Sequence, residues 1–133
     1  MAALAALVVV VFSLSLMVFA VVAFAKPARA ERFLMAFASS ARTHYLEQIV
    51  RIAVGAALVI RSSDMWQPRA FWLFGWIVGV SSMALICIPW QWHDRLGTSL
   101  RPLLVRYLKP YAVAACALGV LLLYALFANH AAP

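Results

Sequence analysis

The chain has 133 residues, 67% of them hydrophobic, and a mean hydropathy of +0.96, far outside soluble domains, where roughly 45–50% of residues are apolar. Charged residues make up 11% and are confined to short segments, so little material is left for a soluble domain and residues 1–133 read as a single transmembrane domain. The net charge of +7 comes from basic residues that flank apolar runs, which topology and anionic headgroups explain and nucleic-acid binding does not.

Four apolar segments are expected to span the membrane, at about 3–25, 45–60, 71–90 and 111–128. The first, Ala3–Ala25, is continuous and uncharged. Ala23-Phe24-Ala25 before Lys26 has the small-x-small form of a secretory cleavage site, but the start MAALAALVVV has no Lys or Arg and the apolar run is too long. A retained helix is expected.

Lys26–Ser39 reads as a basic amphipathic segment lying on the membrane surface. The stretch Glu31–Ile60 holds nearly all the intramembrane polarity and has no Pro or Gly before Gly55 to stop a helix. At about 100° per residue, Ser40, His44, Glu47, Gln48 and Arg51 fall on one face, and Gly55 continues the line. Leu46, Ile49, Val50, Ala53 and Ala57 take the opposite face. A polar stripe therefore enters an otherwise apolar helix and dies out about halfway along it.

The third segment, Phe71–Trp90, carries no charge and contains Gly75-Trp-Ile-Val-Gly79, a spacing that lets another helix approach closely. Trp90–Lys109 repeats the basic amphipathic pattern. In the last segment, entered through Arg106, Lys109 and Pro110, Ala115 and Gly119 repeat the four-residue spacing. Gly55, Gly75, Gly79 and Gly119 are thus the expected helix-contact positions.

Lys26, Arg29, Arg32 and Arg42 lie between the first two spans, and Arg95, Arg101, Arg106 and Lys109 between the last two. The link Arg61–Ala70 has only Arg61 and Arg69, partly offset by Asp64. The positive-inside rule then puts the first and third connections in the cytoplasm and both chain ends outside. Trp66 and Trp72 mark one interface; Trp90, Trp92, Tyr107 and Tyr111 mark the other.

Each half reads as apolar helix, proline (Pro27, Pro89), basic stretch, then a helix with a central glycine (Gly55, Gly119). The expected fold is an all-α integral membrane four-helix bundle of two pseudo-repeated helical hairpins with amphipathic connectors. The repeat is parallel rather than inverted. The stripe belongs to one half, since Arg51 matches Ala115 and Glu47 matches Tyr111 when counted from the glycines.

FGWIVGVSSMALICIPWQWHDRL followed by LKPYAVAACALGVLLLYALF resembles the uncharacterised two-helix bacterial inner-membrane proteins of the YjeT type. The likeness covers less than half the chain. It implies a bacterial inner-membrane hairpin, and no activity or site residue.

Glu47 and Arg51 are spaced i,i+4 with the acid first, the favourable order for a helical ion pair. An arginine at the bilayer centre costs about 2.5–3.5 kcal/mol, so it must be paired or snorkel. The pair reads as a register-fixing contact, with a working polar site as the alternative. His44 and His93 share the cytoplasmic edge and His130 lies in the opposite tail, which fits interfacial histidines better than haem ligands at matched depth. Cys87 and Cys116 form no motif for zinc or a disulfide framework. No nucleophile–base set, paired carboxylates or phosphate loop appears.

The function expected from this reading is a small inner-membrane accessory or scaffold subunit, not an enzyme, acting through helix–helix and lipid contacts. It would have no cofactor, metal or nucleic acid, and its partners would be the bilayer and a membrane protein or a second copy. The alternative is a minimal oligomeric transporter or channel that uses the stripe from Ser40 to Arg51.

Overall fold

The computed structural model describes residues 1–128, which form six α-helices and one 3-10 turn. His130 lies outside the described residues. The first helix, α1 (Ala2–Ala25), is built from Ala, Leu, Val and Phe and stops where Pro27 forbids Lys26 a helical conformation (φ −144°, ψ 70°). Pro27 then opens α2 (Pro27–Ala38) at the position where a missing N–H costs nothing.

Helical structure does not run unbroken from Glu31, as the lack of Pro and Gly suggested. Ser40 is extended (φ −153°, ψ 158°), and its Oγ accepts a hydrogen bond from Thr43 N–H at 3.3 Å, starting a new helix, α3 (Ala41–Arg61). A serine N-cap satisfies an otherwise orphaned amide, and that gain breaks the chain here. The second span is correspondingly longer than the expected 45–60.

A 3-10 turn (Ser62–Asp64), closed by an Arg61–Asp64 ion pair at 2.9 Å, leads to α4 (Pro68–Ile86). This helix ends before the expected Trp90, because Pro89 biases Ile88 away from helix, and Trp90 begins α5 (Trp90–Arg106). The last helix, α6 (Leu108–Ala128), starts ahead of Tyr111 and carries Pro110 in its first turn, where proline is tolerated. Ala2–Ala25, Ala41–Asp64, Pro68–Ile86 and Leu108–Ala128 are long and apolar enough to cross a membrane, which makes this a multi-pass membrane protein by length and composition.

The closest pairs are α3 with α4 and α1 with α6, and a looser α1–α3 contact joins them. The expected hairpins, α1 with α3 and α4 with α6, are therefore not the tightest pairs, and α4 and α6 barely touch. Glycine sets the pairing. A Cβ on Gly55 would lie 2.7 Å from the Gly75 carbonyl oxygen, and one on Gly119 would lie 2.7 Å from that of Ser13. Backbones approach this closely only where a side chain is missing, and such packing drives association in hydrocarbon. Gly79 differs: it offers its backbone to Gly55, but its own Cβ direction is open.

Val9, Leu58, Met65, Phe71, Leu122 and Leu126 fill the core at the end carrying the 62–64 turn, where Trp66 N–H bonds the Ala125 carbonyl at 2.9 Å. At the other end α2 packs on α5, and Arg101 donates to Glu31 across them at 2.8 Å. This basic end gathers both amphipathic helices, the start of α3 and the end of α4. Trp92, Leu96, Leu100 and Leu103 form an exposed apolar row along α5.

Candidate functional site

The polar stripe of α3 turns inward. His44 and Gln48, one turn apart, are both fully buried, in a helix whose Leu46, Ile49 and Val50 are exposed. Amphipathic spacing places the stripe on one face, and the neighbouring helices α4 and α5 receive it.

Deepest in the apolar direction, Arg51 donates from Nε to Ser82 Oγ on α4 at 3.0 Å, while Ser82 donates its own proton to the Val78 carbonyl at 2.7 Å. The Arg51 Nη1 to Glu47 Oε1 distance is 3.8 Å, a long ion pair between partly exposed side chains. The stronger tie of the arginine is therefore to α4, and the carboxylate adds charge balance at the edge. Nearer the basic end, His44 Nε2 lies 3.3 Å from the Leu85 carbonyl oxygen, and His44 Nδ1 lies 2.6 Å from His93 Nδ1. The two rings are steeply inclined, with centroids 4.7 Å apart, and the Tyr45 ring stands edge-on to His44 at 5.1 Å.

Gln48 lies between these two contacts. Its Oε1 and Nε2 are buried and meet no hydrogen-bonding group among the described residues. Ser40 sits outside the helix proper as its cap, and Gly55 continues the line as the close contact with Gly75.

The structure thus brings His44, Arg51 and Gly55 onto α4 or α5, leaves Glu47 at the margin and gives Gln48 no partner among the described residues. The two Nδ1 atoms face each other at hydrogen-bonding distance. Among the described residues no three His, Cys, Asp or Glu side chains converge as a metal site. Cys87 is exposed and Cys116 half-buried, both as free thiols.

Two participants are not evident from the sequence. Ser82 lies in a span without charged residues, and only its depth relative to Arg51 marks it as a partner. The Leu85 carbonyl, in the last turn of α4, accepts from Ile88 N–H at 3.1 Å and faces His44 as well. No protein-family model, curated protein or solved structure matches the chain.

Proposed function

We propose that this protein is a non-enzymatic accessory or scaffold subunit of a bacterial inner membrane, with both ends outside and the basic end in the cytoplasm. One observation carries the reading: two polar side chains of the α3 stripe reach neighbouring helices, Arg51 to Ser82 and His44 to His93. Polar groups used in this way fix the register of helices whose outer surfaces are apolar. The basic connectors gathered at one end support the orientation, and the likeness of the second half to YjeT-type proteins points to the same membrane.

The same reading treats the chain as a bundle of two related halves. Ser13 and Gly75 stand 62 residues apart, as do Pro27 and Pro89. Gly55 packs on Gly75, and Gly119, 64 residues later, packs on Ser13. Equal roles at matching offsets support a duplication in which the last helix of each half docks on the first helix of the other. The equivalents of Arg51 and Ser82 are Ala115 and Ala20, both buried, so only one crossing carries a polar lock.

Reporter fusions after Ser62 and after His93 should give opposite signals, the second cytoplasmic. Matching signals would sink the orientation. Affinity purification in mild detergent followed by mass spectrometry should recover a membrane-protein partner or a second copy, and recovery as a lone monomer would count against a scaffold. The unpartnered amide of Gln48 favours a second reading, a small oligomeric transporter or channel. In proteoliposomes that reading requires a flux that Glu47→Gln abolishes.

A further inference from the structure

His44 is fully buried, and its closest polar neighbour is another histidine. The hydrogens of the pair follow from their partners. The Leu85 carbonyl is an acceptor, so His44 Nε2 carries a hydrogen. In a neutral ring His44 Nδ1 is then bare. A nitrogen–nitrogen contact of 2.6 Å needs one hydrogen between the atoms, and His93 Nδ1 supplies it. His93 Nε2 is left as the basic nitrogen of the pair.

A proton taken up at His93 Nε2 leaves every one of these contacts intact. The central hydrogen can sit on either Nδ1, and the bond becomes charge-assisted, roughly twice as strong as a neutral one. A further proton has no such place. It must go onto an Nδ1 that is already accepting, which turns both atoms into donors and sets two cations against each other.

We propose that His44 and His93 form a binding site for a single proton, and that the singly charged pair clamps α5 onto α3 at the junction with α4. The charged side chains of these elements leave the pair as the central device. On α3, Arg42 and Glu47 flank His44, with Glu47 already drawn toward Arg51. On α5, Asp94 and Arg95 follow His93 and offset each other in sign. On α2, Glu31 is held by Arg101, with Arg29 and Arg32 beside it in sequence. The only charged side chain of α4 is Arg69, at the far end, and its contribution at the junction is the Leu85 carbonyl. The clamp goes beyond a scaffold role, because it makes the seating of the basic amphipathic helix depend on proton activity at that end of the membrane.

The test uses the full chain, with 15N-labelled histidine, in bicelles titrated from alkaline to acid pH until both protons are bound. A through-hydrogen-bond coupling between the two Nδ1 nuclei is expected at the alkaline end. It should persist through uptake of the first proton, disappear with the second, and be absent in His93→Gln. His130→Gln assigns the third ring. Amide hydrogen exchange over residues 91–96, corrected for its intrinsic pH dependence, should slow on the first step and accelerate at least about tenfold on the second. Absence of the coupling in the unmutated protein overturns the proposal, and that spectrum decides even if His93→Gln does not fold. Two rings that each take a proton independently, or α5 exchange that ignores both steps, overturn it equally.

Discussion

Replacing Gly55 with alanine tests the central crossing with a single methyl group. The added Cβ would lie 2.7 Å from Gly75 O and 2.9 Å from Gly79 N, whereas ordinary contact begins at 3.4 Å. Both obstacles are backbone atoms of a helix, so no side chain can swing away and the helices must separate by roughly 0.7 Å, the gap between those distances. Overpacking of this kind costs about 1–3 kcal/mol. Alanine returns up to about 1 kcal/mol through its better helix propensity. The same return applies to Gly79→Ala, whose Cβ would meet nothing within 4 Å. The difference between the two variants therefore isolates the steric term, about 2 kcal/mol, or roughly thirtyfold in the folded ratio. Reversible unfolding in mixed micelles titrated with SDS measures both. Equal stability of Gly55→Ala and Gly79→Ala would refute the reasoning, and Gly75→Ala should behave like Gly55→Ala.

Gln48→Met should stabilise the protein by about 1–3 kcal/mol in the same assay, because it removes a buried amide that has no partner and keeps its shape; a loss of stability would mean that the amide is satisfied in the membrane. Arg51→Ala should lower folded protein recovered from the membrane more than Glu47→Ala, since it also removes the hydrogen bond to Ser82, and the double replacement of Glu47 and Arg51 by leucine should recover much of it. Equal and negligible losses would place both side chains in water or headgroups. Ser82→Ala alone should cost only about 0.6 kcal/mol, the usual size of an interhelical hydrogen bond in a membrane. Arg101→Ala should change stability by less than about 1 kcal/mol, as its side chain is largely exposed; a larger loss would mean that the α2–α5 bridge is desolvated.

The four long helices were legible because length and hydropathy are local properties that a bilayer selects for directly. Helix ends were legible only where chemistry was read residue by residue. Ser40 carries a capping hydroxyl that outweighs the absence of Pro and Gly, and Pro89 ends a helix although the apolar run continues past it. The face of α3 followed from its period. Its partners did not, because Ser82 in an apolar run has no pattern of its own and His93 reaches His44 only after α5 folds back. Helix pairing was least legible. In hydrocarbon every apolar face is equally content, so shape decides, and the GxxxG of α4 did not reveal that Gly75 faces Gly55 while the Cβ direction of Gly79 is open.

The pairing of α1 with α6 also governs the order in which the molecule can be completed. Ribosomes release α1 first, and its closest companion follows only after four intervening helices. At roughly 5–20 residues per second, that interval is on the order of ten seconds. Meanwhile α1 has only its contacts with α2 and its looser one with α3, and the backbone at Ser13 stays open until Gly119 arrives. An insertase or a neighbouring chain therefore has seconds in which to occupy the surface that α6 will later claim.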